Sequence, residues 1–130
     1  MTAARLGSGA PWEAVVGYSR VVATADAAWV SGTTATVDGV VQHPGDAAAQ
    51  TRVALELLLA ALGRAGFAAG DVVRTRVYVT DISRWEEVGR AHGDVFGAVR
   101  PAASMVQVAA LIDPAMLVEI EADAVRGAGA

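Results

Sequence analysis

The chain contains no cysteine and no lysine, and all ten of its basic residues are arginine. Without cysteine there is no disulfide, no thiolate zinc site and no cysteine nucleophile, which suits a reducing cytoplasm. Without lysine there is no Schiff-base chemistry and no lysine-anchored pyridoxal phosphate, and no cofactor is expected. The arginines are scattered and the net charge is -4, so no basic patch meets a phosphate backbone, and nucleic acid is not an expected partner. Long apolar runs are missing too. The opening "MTAARLGSGAPWEAVVGYSR" lacks the apolar core of a signal peptide, and no stretch approaches the ~20 apolar residues that span a bilayer. No GxGxxG, P-loop or GxSxG pattern occurs, which argues against dinucleotide, nucleotide and α/β-hydrolase chemistry. His43 and His92 are not spaced with carboxylates to hold a metal.

What is present suits one domain over residues 1–130. The chain has 130 residues and 54% hydrophobic content, enough for a single core without staples. The Gly- and Ala-rich start predicts a loose N-terminus up to Pro11, and residues 126–130 a loose C-terminus. "RVVATADAAWVSG" predicts a hairpin, Arg20–Ala23 with Ala28–Ser31. A third strand, Val40–His43, is expected to end at Pro44. From Asp46 to Ala65, "DAAAQTRVALELLLAALGRA" repeats Leu55, Leu58, Leu59 and Leu62 at helical spacing, with Asp46 as N-cap and Gly66 as the left-handed stop.

"DVVRTRVYVTD" alternates, with Val73, Thr75, Val77 and Val79 on one face and Arg74, Arg76 and Tyr78 on the other. "SRWE" at 83–86 has the form of a capping box, and Trp85, Val88, His92 and Phe96 predict a second helix over Arg84–Phe96. Ser104–Ala109 and Leu117–Ala124 close the chain as strands joined through "IDPA". The order β-β-β-α-β-α-β-β, with two helices able to cover one sheet face, implies an α+β two-layer sandwich. The bare face is too apolar for full exposure, so self-association is expected.

Three stretches carry candidate chemistry. Glu119, Glu121 and Asp123 alternate with Val118, Ile120 and Ala122 and so share one strand face, either solvated or lining a pocket where Glu119 handles a proton. In "GYSR" at 17–20, Tyr18 can orient a carbonyl or imine and Arg20 can hold a carboxylate. "SGTT" at 31–34 offers the Ser31 and Thr33 hydroxyls beside Gly32, which permits close approach of a ligand. His92 is either a packing residue on its helix or, if it reaches a cleft, an acid–base group.

Together these stretches resemble the reactive-intermediate-deaminase (Rid) family, also described as YjgF-like or L-PSP endoribonuclease-like. "GYSR" is similar to its Gly-Pro-Tyr-Ser-Gln opening, and "WVSGTT" to its Val-Ser-Gly-Gln strand end. "DVVRTRVYVTDISRWEEV" is similar to its strand-to-helix middle, and "RPAASMVQVAALIDPAMLVEIEA" to its Pro-Ala-Arg-Ser … Glu-Ile-Glu signature. The resemblance implies a chorismate-mutase-like fold, a homotrimer with clefts between subunits that also covers the bare sheet face, and hydrolysis of small enamines or imines. It implies catalytic roles for Tyr18 and Glu119 and a place beside the substrate for residue 103; Arg20, Ser31, Thr33, His92 and Met105 are expected with Ala103 around the substrate. The signature Arg, which grips a carboxylate in deaminating members, is replaced here by Ala103. Gly89 stands where an Asn often lines the cleft, and between Phe96 and Pro101 the chain is several residues shorter than the family pattern. The expected activity is therefore on an imine or enamine other than 2-aminoacrylate. A non-catalytic trimer that binds a metabolite is the alternative, and ribonuclease action is the weakest reading.

Overall fold

The computed structural model describes residues 2–129. Its two helices form where strong helix formers run between effective stops. Helix α1 (Ala47–Arg64) starts at Asp46, whose carboxylate accepts the Ala49 N–H at 2.9 Å, and it ends before Gly66 at φ +86°. Leu55, Leu58 and Leu62 are wholly buried along one face. Helix α2 (Trp85–Phe96) follows a short 3-10 turn at Ile82–Arg84. The expected capping box is absent: Asp81 takes the cap by accepting the Ser83 N–H at 3.0 Å, while Glu86 pairs with Arg90 instead. Trp85 lies off the buried stripe and is 57% exposed, whereas Val88, Ala91 and Phe96 are buried.

The main sheet has six strands: β1 (Ala4–Leu6), β2 (Val21–Ala23), β3 (Ala27–Thr33), β6 (Val72–Val79), β7 (Ala102–Gln107) and β8 (Val118–Val125), in the spatial order β1-β2-β3-β8-β6-β7. All neighbours are antiparallel except β6 and β7, which α2 connects in parallel. Helix α1 packs on α2, β3 and β8. The strict alternation of buried and half-exposed residues along β8 shows that the helices cover one face only. The two-layer α+β architecture expected from the sequence is thus observed.

Four local expectations are corrected. The N-terminus is not loose, since Ala4–Leu6 pairs with Val21–Ala23. The three residues carry little intrinsic β-propensity and are held by the ladder instead. The C-terminal end is tied down through Arg126, whose guanidinium lies 4.1 Å over Phe67 and donates to the carbonyls of Ala25 and Gly66. Met1 and Ala130 lie outside the described residues. The third expected strand shortens to β5 (Val40–Val41), which pairs with β4 (Thr36–Val37) in a separate two-stranded ribbon. Finally, a bulge between Val72 and Arg74 against β8 buries Val72 and turns Val73 outward, after which the alternation runs as expected.

Gln50 links the layers. It is fully buried in α1, donates to the Ala115 carbonyl at 2.9 Å and the His43 carbonyl at 3.3 Å, and accepts the Leu117 N–H at 2.8 Å. These bonds hold the turn that delivers β8. Gln50→Leu preserves the volume but leaves backbone groups unpaired, so denaturant titration should show a loss of about 2–4 kcal/mol.

Candidate functional site

The acidic face of β8 is divided by its neighbours. Glu121 accepts a hydrogen bond from the Tyr78 hydroxyl at 2.9 Å and an ion pair from Arg76 Nη1 at 3.4 Å, and Asp123 shares the same guanidinium nitrogen at 3.4 Å. These two carboxylates belong to a cross-strand network on the bare sheet face. Glu119 stands apart. Its carboxyl is pushed above the ordinary range first by burial and then by Glu121, with only partial relief from Arg20.

The local backbone makes room for Glu119. The β3–β8 register shifts between Val30 and Thr33, and Gly32 sits in that irregularity. A Cβ at Gly32 would stand 2.6 Å from Oε2 of Glu119 and 2.7 Å from its carboxyl carbon, so glycine is needed there for the carboxylate, in addition to any ligand. Arg20 fastens the same loop, with Nη1 donating to the Gly32 carbonyl and to Thr33 Oγ1, both at 2.8 Å. Its Nε is buried without a partner. The guanidinium lies 5.7 Å from the centre of the Tyr18 ring. The Ser31 hydroxyl donates to the Ser19 carbonyl at 2.6 Å, and the Thr33 hydroxyl to the Ser31 carbonyl at 2.8 Å.

These groups open on a cleft of about 800 Å³. Of the residues singled out in the sequence, Tyr18, Arg20, Thr33 and Glu119 line it; Ser31 is committed to the loop behind. Ala103 and Met105 are on β7, opposite Thr75 and Val77 of β6, so within one chain a whole strand separates them from β8. His92 is packed between α2 and the sheet, where Nε2 lies 2.9 Å from the hydroxyl of buried Thr75 and the ring lies 4.9 Å from that of Phe96. Sequence reasoning missed much of the remaining wall: Trp12, Val16, Val37, Leu57, Ile112 and Met116. They come from the segment before Tyr18, from β4, from the middle of α1 and from the loop before β8, with no shared period, so no pattern brings them together. Among the described residues no cluster of three or more potential metal ligands occurs, and no helix is long and apolar enough to cross a membrane.

Burial lowers the His92 pKa. Below about pH 6.5, the unfolded value, the unfolded chain therefore binds a proton that the folded chain resists. Stability should fall as pH drops from 6.5 towards the lower folded value. Thermal denaturation between pH 7.5 and 5 is expected to show this decline, and His92→Gln to flatten it.

The family model for Endoribonuclease L-PSP matches residues 8–126. An uncharacterised protein of Streptomyces coelicolor is 39% identical over 124 residues, covering 95% of this chain and 92% of the relative. The 3-aminoacrylate deaminase RutC of Acinetobacter baylyi is 38% identical over 80 residues, 62% of this chain and 63% of the relative. Among solved structures, Rv2704 of Mycobacterium tuberculosis, a member of the YjgF/YER057c/UK114 family, superposes with a TM-score of 0.87 at 52% identity, covering 95% of this chain and 99% of the other. Escherichia coli TdcF with bound serine gives a TM-score of 0.79 at 28% identity, covering 95% and 94%.

Proposed function

Because the chain belongs to the L-PSP endoribonuclease family of YjgF-like reactive-intermediate deaminases, we propose that it hydrolyses an imine or enamine other than 2-aminoacrylate, with Glu119 as the catalytic acid–base. The observation that carries this reading is the environment of Glu119: a carboxyl lining the cleft beside Gly32, with its pKa raised by burial. A carboxyl that stays protonated to higher pH than usual is suited to donating a proton to an imine nitrogen. Its conjugate base then takes a proton from the water that adds to the imine carbon. Collapse of the carbinolamine breaks the C–N bond and releases ammonia or an amine and a carbonyl product. Tyr18 orients the substrate, and Arg20 acts chiefly by holding the Gly32–Thr33 loop in place. The deaminase relative supports the reaction class.

The working form in this proposal is a homotrimer, with Ala103 and Met105 completing the cleft of a neighbouring copy. Two features support self-association. The bare sheet face exposes Trp29 and Val106, each at 47%, around the Arg76–Glu121–Asp123 network, a mixture suited to an interface. Strand β7 is an open parallel edge with most of its side chains exposed. The lack of cysteine agrees with a cytoplasmic setting. The loss of the signature Arg at Ala103 favours one second reading, a metabolite-binding trimer without catalysis. A ribonuclease role has little support in a chain of net charge -4.

A screen separates hydrolysis from binding. Imines are generated by amino-acid and amine oxidases in the presence of a trapping nucleophile, with and without the protein. Hydrolysis predicts reduced trapping for at least one imine; binding alone predicts none.

A further inference from the structure

We infer that the cleft selects an imine or enamine that carries a bulky apolar group and no carboxylate. This rests on the hydrolytic reading of Glu119 and names the substrate class for it.

Three observations converge. The first is where the exposed apolar residues lie. Val16, Val37 and Ile112 are 69%, 40% and 67% exposed, and they come from three separate segments: the turn before Tyr18, the β4–β5 ribbon and the loop before β8. All three nevertheless line the same cleft, with Trp12, Leu57 and Met116. Apolar side chains left in water and brought together from distant parts of the sequence mark a binding surface. The second is size. In one chain the cleft measures about 800 Å³, within the roughly 300–1,000 Å³ that encloses drug-sized ligands, which leaves room for a substituent larger than a three-carbon enamine where a neighbouring copy closes part of it.

The third is the loss of the family's carboxylate clamp. Ala103 stands at the position of the signature Arg, and bidentate capture requires two parallel N–H groups of one guanidinium. Arg20, the guanidinium nearest Glu119 in the cleft, already spends Nη1 on the Gly32 carbonyl and Thr33 Oγ1, so a substrate carboxylate would compete with the bonds that hold the loop. An apolar imine, neutral or protonated on nitrogen, meets all three conditions. Its nitrogen faces Glu119 and its substituent occupies the wall formed by Val16, Val37, Leu57 and Ile112.

The test uses four imines generated in situ. An amine oxidase makes the carboxylate-free pair from ethylamine and 2-phenylethylamine, and an amino-acid oxidase makes the carboxylated pair from alanine and phenylalanine. The 2-phenylethylamine imine is expected to be hydrolysed fastest. Val37→Asn and Ile112→Asn alter exposed side chains outside the buried core. Each should lower kcat/KM for that imine by about tenfold, as loss of a pocket contact does, and by more than it lowers kcat/KM for the ethylamine imine. If the alanine imine is hydrolysed as fast as the 2-phenylethylamine imine, or if both substitutions leave bulky-imine hydrolysis unchanged, the selectivity is overturned while hydrolysis stands. If no imine is accelerated, the hydrolytic reading fails and this inference fails with it.

Discussion

Glu119→Gln is expected to abolish the accelerated hydrolysis of every imine the wild-type protein acts on, lowering kcat/KM by about 100-fold or more, the usual contribution of a positioned acid–base group. Gln has nearly the same shape, so it fits the space that Gly32 leaves, and the loop held by Arg20 does not depend on the carboxylate charge. Stability should move the other way. The folded-state pKa of Glu119 lies above its ordinary value, so the folded chain favours the protonated form, and the resulting stability is present below the unfolded pKa and lost as pH rises through the folded one. The uncharged amide avoids the cost of ionising there. Thermal denaturation should find Glu119→Gln at least as stable as wild type at pH 7, with the advantage shrinking at pH 4. Inactivity without unfolding would exclude a merely structural role.

Ala103→Arg should have the second largest effect, in the direction of gain. Residue 103 is exposed on the β7 edge, so the fold has room for a long side chain. A charge-assisted bidentate contact to a carboxylate contributes about 3 kcal/mol, or roughly two decades. The variant is therefore expected to hydrolyse 2-aminoacrylate and other carboxylated imines about a hundredfold better than wild type, with little change on carboxylate-free ones. Within one chain β6 separates residue 103 from β8, so a gain would also show that a second copy brings its β7 to the cleft. If activity on carboxylated imines is unchanged and the variant is folded, Ala103 does not face the substrate in the assembled protein.

The elements most legible in the sequence were those with a strong period. Helix α1 was readable from its leucines and its Asp46 cap, and β8 from its alternation of apolar and acidic residues. The elements least legible depend on partners distant in sequence. Strand β1 is three residues of low propensity held by β2, and the β4–β5 ribbon forms apart from the main sheet. The bulge that turns Val73 outward becomes apparent only when β6 is set against β8. At the site, alternation placed Glu119, Glu121 and Asp123 on one face but could not separate them. The division comes from Tyr78 and Arg76 across the strand, which engage Glu121 and Asp123 and not Glu119. Resemblance to a family singles out Glu119 as the candidate, which periodicity does not. The apolar wall of the cleft was invisible to both, because its residues are gathered by tertiary structure alone.

The pH dependence of kcat/KM, measured for wild type and Glu119→Gln on the best imine from the screen, tests the central claim most directly. With Glu119 as the proton donor, the wild-type rate should fall with rising pH along a limb whose midpoint lies above the ordinary carboxyl value of 4.5, and the variant should lose that limb together with the activity. A variant that keeps wild-type rates and the same pH profile would contradict the assignment of Glu119.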